Sequence, residues 1–209
     1  MKLMDLTVKG FIEELGSNSP APGGGSVSAL AGSMGAALAS MVASLTVGKE
    51  SFKENEEKMR EVAQKGVELK ERLGILVDED TNAFNHVMAA FQMPKGTDEE
   101  KAARSRAIQE ATKQAALLPL EVARHCLAVM ELSRVAVTCG NPNALSDAGV
   151  SGLMAYAGLQ GAIYNVEINL GGIKDQEFNQ KLAAEKDRLL REGQRLADEV
   201  GQMVRQKLR

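Results

Sequence analysis

A chain of 209 residues with 44% hydrophobic and 25% charged residues has the length and balance of one globular domain with its own core. A formal net charge of -3, aromatics at 3% and no Trp supply neither a basic face nor stacking side chains, which argues against a nucleic-acid partner. Cys126 and Cys139 lack metal-ligand spacing and form no disulfide framework, which fits a reducing, cytoplasmic compartment, and Met1-Lys2-Leu3-Met4-Asp5 brings in charge at once, so no secretory leader is expected.

Helical spacing dominates and no strand alternation stands out, so the expected fold is all-α, a single-domain helical bundle over residues 1–209. An amphipathic helix is expected near Asp5–Leu15, with Leu6, Phe11, Ile12 and Leu15 on one face. Ser17–Gly25 is a turn-rich break, followed by a long helix from about Gly25 to Val47. From Leu15 to Gly48 there is no charged residue. Rich in Gly, Ala and Ser, this stretch inserts poorly into lipid and reads as a buried central helix rather than a membrane span. Within it Ser28, Gly32, Ala36, Ser40 and Ser44 recur every four residues and let another helix come close. Glu54–Leu73 is a further helix, with Met59, Val62, Gly66 and Leu73 facing inward, and Thr81–Phe91 continues the pattern until Pro94 and Gly96 end it.

Thr97 and Glu100 fit a capping box that starts the next helix, and Pro119 should kink or split it. Gly140-Asn141-Pro142-Asn143 is a loop. A second nearly uncharged helix, about Ala144–Leu170, ends at Gly171-Gly172 and should join the first at the centre. From Asp175 onward Leu182, Leu189, Leu196 and Met203 recur every seven residues, which suits a helix on the outside of the bundle or across a dimer interface.

Four segments can carry chemistry. In Ser19-Pro20-Ala21-Pro22-Gly23-Gly24-Gly25-Ser26 the prolines fix the approach and the glycines expose backbone N–H groups at a helix start, either to hold a carboxylate or a polar heterocycle edge or simply to make a tight turn. It is not a P-loop, since the Lys and Ser/Thr of that motif are missing. Asp78-Glu79-Asp80-Thr81-Asn82-Ala83-Phe84 places three acids at the opening of a helical segment. Asp78 or Asp80 either caps that helix or, for Asp80 beside Phe84 in a cleft, acts as a general acid or base with a pKa raised by desolvation. Lys95 in Met93-Pro94-Lys95-Gly96 is either a solvated side chain or, in a cleft, a group that binds a carboxylate or polarises water. In the segment Gly140–Gly149, Ser146 and Asp147 can cap the following helix, and Asn141 and Asp147 can equally hydrogen-bond a pterin-like ring. His86 and His125 belong to no ligand cluster, so no metal is expected.

The segments SPAPGGGSVSALAGSMGAAL, VDEDTNAF, MPKGTDEEKAAR, GNPNALSDAGV and AIYNVEINL, in this order along nearly the whole chain, resemble the cyclodeaminase/cyclohydrolase family of folate enzymes. The resemblance implies an all-α dimer with a folate site and no cofactor beyond the tetrahydrofolate substrate. It places the proton-transferring acid at Asp80, the Pro-Gly-Gly-Gly loop at Pro22, Gly23, Gly24 and Gly25, the lysine at Lys95, expected to act with Asp80 in catalysis by orienting water or the adduct oxygen, and the Gly-Asn and Ser-Asp pairs at Gly140, Asn141, Ser146 and Asp147. The implied reaction is hydrolysis of 5,10-methenyltetrahydrofolate, since no formiminotransferase domain accompanies the chain. Cyclodeamination of the formimino compound is the alternative, and a non-enzymatic helical scaffold is the reading from a different class.

Overall fold

The computed structural model describes residues 2–209, so Met1 of the N-terminal stretch lies outside them. Among the described residues are six α-helices and no strand. They are α1 Val8–Leu15, α2 Gly24–Ser44, α3 Glu56–Gln92, α4 Asp98–Cys139, α5 Leu145–Leu170 and α6 Gln176–Lys207, with 3-10 turns at Leu3–Asp5, Glu50–Asn55 and Pro142–Ala144.

The uncharged helix α2 is the hub and packs on α3, α4 and α5 at once. Its small residues allow this. A methyl group added at Gly32 would lie 2.6 Å from Cys126 Sγ of α4, and one at Gly35 would lie 2.8 Å from Ser151 O of α5. The neighbours make the same concession: a methyl at Gly66 of α3 would lie 2.9 Å from Ser40 Cβ, and one at Gly158 of α5 would lie 2.7 Å from Ser28 O. The bundle thus trades bulky core side chains for close backbone approach. By length and composition α2 could cross a membrane, but in the fold Ala36, Ala39, Val42 and Ala43 are wholly buried among neighbouring helices. Its alignment with α5 is antiparallel, with Ser28 beside Gly158 and Gly35 beside Ser151.

Three expectations change. The acids Asp78, Glu79 and Asp80 do not open a helix: they lie mid-way along α3, which runs unbroken for 37 residues. No proline interrupts it, and Gly66 and Gly74 are buried in packed faces rather than acting as breaks. Helix α4 is likewise one 42-residue element, assigned as continuous through Pro119. The carbonyl that Pro119 leaves without its usual partner belongs to Ala115, and the Asn169 side chain occupies it. In α1, Phe11 is the buried residue while Ile12 is 62% exposed, because this short helix lies on the surface of the bundle. The capping box at Thr97 and Glu100 forms as read, with Glu100 N–H donating to Thr97 Oγ1 and Thr97 N–H to Glu100 Oε2. Helix α6 packs outside α4 and α5 through Leu182, Leu189 and Leu196.

Candidate functional site

The start of α2 has a problem of its own making. Gly23, the residue before the helix, has no side chain to cap it, and the first intrahelical bond runs from Val27 N–H to Gly23 O. The N–H groups of Gly24, Gly25 and Ser26 therefore have no helical partner. Asp80, arriving from the middle of α3, answers part of this need. Its carboxylate accepts the backbone N–H of Ser26 and lies 3.1 Å from the Ser26 hydroxyl. Asp80 thus does cap a helix, but not its own.

This approach depends on Gly25. A methyl group there would overlap the Asp80 carboxylate, standing 2.5 Å from Asp80 Cγ. The same addition at Gly23 meets nothing within 4 Å, and at Gly24 only the Asn165 amide at 3.4 Å. The glycines of the loop are therefore not equivalent, and Gly25 is the one the acid requires.

Asp80 faces a cavity of about 370 Å³, within the range of small-molecule sites. The walls come from four elements: the loop from Pro20 to Gly25, Asp80, Phe84 and Val87 of α3, Ala115 of α4, and Asn165, Ile168 and Asn169 of α5. Burial pushes the Asp80 carboxyl above the usual aspartate range, opposed by the two Ser26 hydrogen bonds. Among the described residues no cation offsets the burial. Its neighbours in sequence are already committed: Asp78 Oδ1 accepts the Leu3 N–H at 2.6 Å, and Glu79 pairs with Arg72. Of the three acids, Asp80 alone lines this cavity.

The Ser26 hydroxyl sits between two acceptors, Val77 O at 2.9 Å and Asp80 Oδ2 at 3.1 Å. It has one proton. Turned toward Asp80 it supports the carboxylate; turned toward Val77 it leaves a lone pair that can accept from protonated Asp80. The residue accommodates both protonation states of the acid without moving.

Sequence reading missed the opposite wall. Asn165 and Asn169 lie four apart on an otherwise apolar helix, and that spacing was the available signal. Asn165 donates to Gly161 O at 2.8 Å, and Asn169 donates to Asn165 O at 2.8 Å and to Ala115 O at 2.9 Å. With both N–H bonds of Asn169 used, its Oδ1 is the polar atom that remains to receive a ligand's N–H.

The structure brings Gly23, Gly24, Gly25, Ser26, Asp80 and Phe84 together, with Pro22 buried just behind the loop. The other site expectations lie elsewhere in the fold. Lys95 is exposed on the turn after α3. Asn141 is at the far end of α2, where it donates to Leu45 O from its side chain and to Thr46 Oγ1 from its backbone. Its Oδ1 accepts Asn143 N–H. The 21 residues of α2 separate it from Gly24 by about 30 Å at 1.5 Å per residue. Ser146 is exposed and Asp147 half-buried at that same end, and neither caps α5, whose preceding residue is Ala144. A larger groove of about 800 Å³ runs over Met34, Lys70 and Glu71, but it is open and its acids Asp78 and Glu79 are already partnered.

Residues 7–188 match the family model described as formiminotransferase-cyclodeaminase. The chain is 42% identical over 202 residues to a methenyltetrahydrofolate cyclohydrolase of Methylorubrum extorquens, covering 97% of each chain. It is 37% identical over 179 residues to the mouse formimidoyltransferase-cyclodeaminase, spanning 86% of this chain but 33% of the mouse protein. The fold matches the crystal structure of a formiminotetrahydrofolate cyclodeaminase from Thermotoga maritima with a TM-score of 0.89 at 27% identity, over the full length of both chains.

Proposed function

The chain belongs to the formiminotransferase-cyclodeaminase family, and on that premise we propose that it hydrolyses 5,10-methenyltetrahydrofolate to 10-formyltetrahydrofolate. The observation that carries the reading is the half-buried Asp80 carboxylate, with no cation beside it among the described residues, held against the start of α2 at the edge of a cavity. The methenyl bridge, N5–CH–N10, is an amidinium-like cation. An anion with no cationic partner of its own is suited to receive it, and the cation in turn lowers the cost of keeping Asp80 ionised.

Chemistry then follows from proton positions. Ionised Asp80 accepts a proton from water as its oxygen bonds to the bridge carbon, giving a neutral tetrahedral adduct. The Ser26 hydroxyl turns to Val77 O as Asp80 gains the proton. Asp80 returns that proton to N5 as the C–N5 bond breaks, and the adduct hydroxyl releases its own proton to bulk water as it becomes the formyl carbonyl, so cation and water yield the neutral product and one free proton. The pteridine ring rests between the loop and α5, where Asn169 Oδ1 accepts a ring N–H, and Phe84 covers the apolar side. Lys95 lies further along from the same helix and attracts the substrate's glutamate carboxylates, a binding role rather than a catalytic one. The reaction draws on no cofactor other than the folate itself.

We also read residues 1–209 as one domain that works in the cytoplasm as a homodimer. The adjacent helices α2 and α5 leave Met34, Leu153, Tyr164 and Ile168 exposed, the last three by 67%, 66% and 78%. The homodimer would also give the remote Asn141, Ser146 and Asp147 a second subunit to face.

The second reading, cyclodeamination, has the likeness to the Thermotoga structure in its favour. There N10 attacks the formimino carbon, and protonated Asp80 delivers its proton to the departing ammonia. One assay separates the two. Purified protein should remove the near-ultraviolet absorbance of methenyltetrahydrofolate faster than buffer alone; ammonia release from formiminotetrahydrofolate without that loss would favour the second reading, and neither would leave a scaffold.

A further inference from the structure

Pro119 is buried in the interior of α4, a position where proline removes a backbone hydrogen bond. In an uninterrupted helix the N–H of residue 119 would donate to the carbonyl of residue 115. Proline has no N–H, and its ring crowds that carbonyl. Ala115 is also a wall residue of the Asp80 cavity. Its freed carbonyl accepts the Asn169 Nδ2 amide at 2.9 Å, and the second proton of that amide goes to Asn165 O at 2.8 Å.

We propose that Pro119 is a positioning residue of the folate site: by withholding an N–H from Ala115 O it reserves that carbonyl for Asn169, and thereby fixes the Asn169 side chain with Oδ1 as its free acceptor. The inference rests on the folate reading above. The chemistry makes the orientation one-sided. Two carbonyl oxygens flank the amide nitrogen, so a flipped Asn169 would set its own oxygen against both. With an N–H restored at position 119, Ala115 O gains an intrahelical donor, one of the two anchors weakens, and Asn169 can turn. The proline is thus tolerated mid-helix because the site uses the carbonyl it orphans.

The test replaces Pro119 by Ala and, to preserve bulk, by Val; both restore the N–H. In each folded variant KM for methenyltetrahydrofolate should rise about three- to tenfold, the scale of one compromised hydrogen bond, with kcat little changed. In an Asn169→Ala background the same substitutions should leave KM where Asn169→Ala alone put it. In ligand-free protein the Asn169 side-chain amide, followed by NMR, should exchange with solvent faster in both variants. A KM increase that persists without Asn169, or an Asn169 amide unaltered by either variant, overturns the proposal. If the wild-type protein turns over no folate, the functional reading fails, while the amide measurement still decides the role of Pro119.

Discussion

Replacing Gly25 by Ala should separate activity from stability. Position 25 is in the first turn of α2, where alanine is acceptable to the backbone and favoured over glycine by about 1 kcal/mol in a helix. The added methyl would stand 2.5 Å from Asp80 Cγ, whereas carbon atoms meet comfortably at about 3.5 Å or more. The carboxylate must therefore retreat by about 1 Å, out of register with the Ser26 N–H and hydroxyl. Overpacking of this kind costs about 1–3 kcal/mol, which the helix gain partly offsets, so the melting temperature should fall by only a few degrees. Catalysis has no such offset: a misplacement of about 1 Å costs about 100-fold in rate, or about 2.7 kcal/mol of barrier. The readouts are loss of methenyltetrahydrofolate absorbance and thermal unfolding followed by circular dichroism. Gly23→Ala, whose methyl meets nothing within 4 Å, serves as the stability control. A folded Gly25→Ala protein with wild-type turnover would show that the Asp80 contact with α2 has no part in the reaction.

Asp80→Asn should lower kcat by about 100- to 10,000-fold, the usual worth of a general acid–base group. The wild-type rate should fall on the acid side with an apparent pKa above the ordinary aspartate range, because burial raises it, and the variant's residual rate should lack that limb. The stability sign follows from the same shift: a raised folded pKa favours the folded state below the unfolded pKa, and that advantage is lost as pH rises through the folded value. Asp80→Asn should therefore gain stability relative to wild type near neutral pH and lose the gain on acidification; a gain independent of pH would contradict the burial argument. Gly158→Ala, whose methyl would stand 2.7 Å from Ser28 O and 3.1 Å from Gly32 N, presses on backbone that cannot yield. It should destabilise by about 1–3 kcal/mol, visible as a lowered melting temperature, and an unchanged value would mean that α2 and α5 can separate freely. Leu153→Glu, at a side chain 67% exposed in the protomer, should shift sedimentation from dimer to monomer with the helix content intact; a wild-type monomer would refute the proposed assembly.

Periodicity and composition alone determined the helical class, the central position of the two uncharged helices, the capping box at Thr97 and the apolar seam of α6, because each depends on residues within a few turns of one another. The resemblance then placed the acid at Asp80, which lines the cavity. Local pattern could not say that Asp78, Glu79 and Asp80 have three different fates. Adjacent residues on a helix point about 100° apart, so Glu79 faces Arg72 two turns back on α3 itself, while only the arrangement of α2 and the N-terminal segment around α3 assigns partners to Asp80 and Asp78. Nor could it show that Gly25 matters more than Gly23, since the difference is the approach of Asp80 from a helix distant in sequence. Asn165 and Asn169 carry no signal beyond their spacing on an apolar helix, and Pro119 reads locally as a kink or split. Their connection passes through the Ala115 carbonyl, and hydrogen bonds between helices distant in sequence leave no periodic trace. Tertiary structure alone closed the cavity, because its walls come from a loop and three helices that meet only once the small residues of α2 have let their neighbours in.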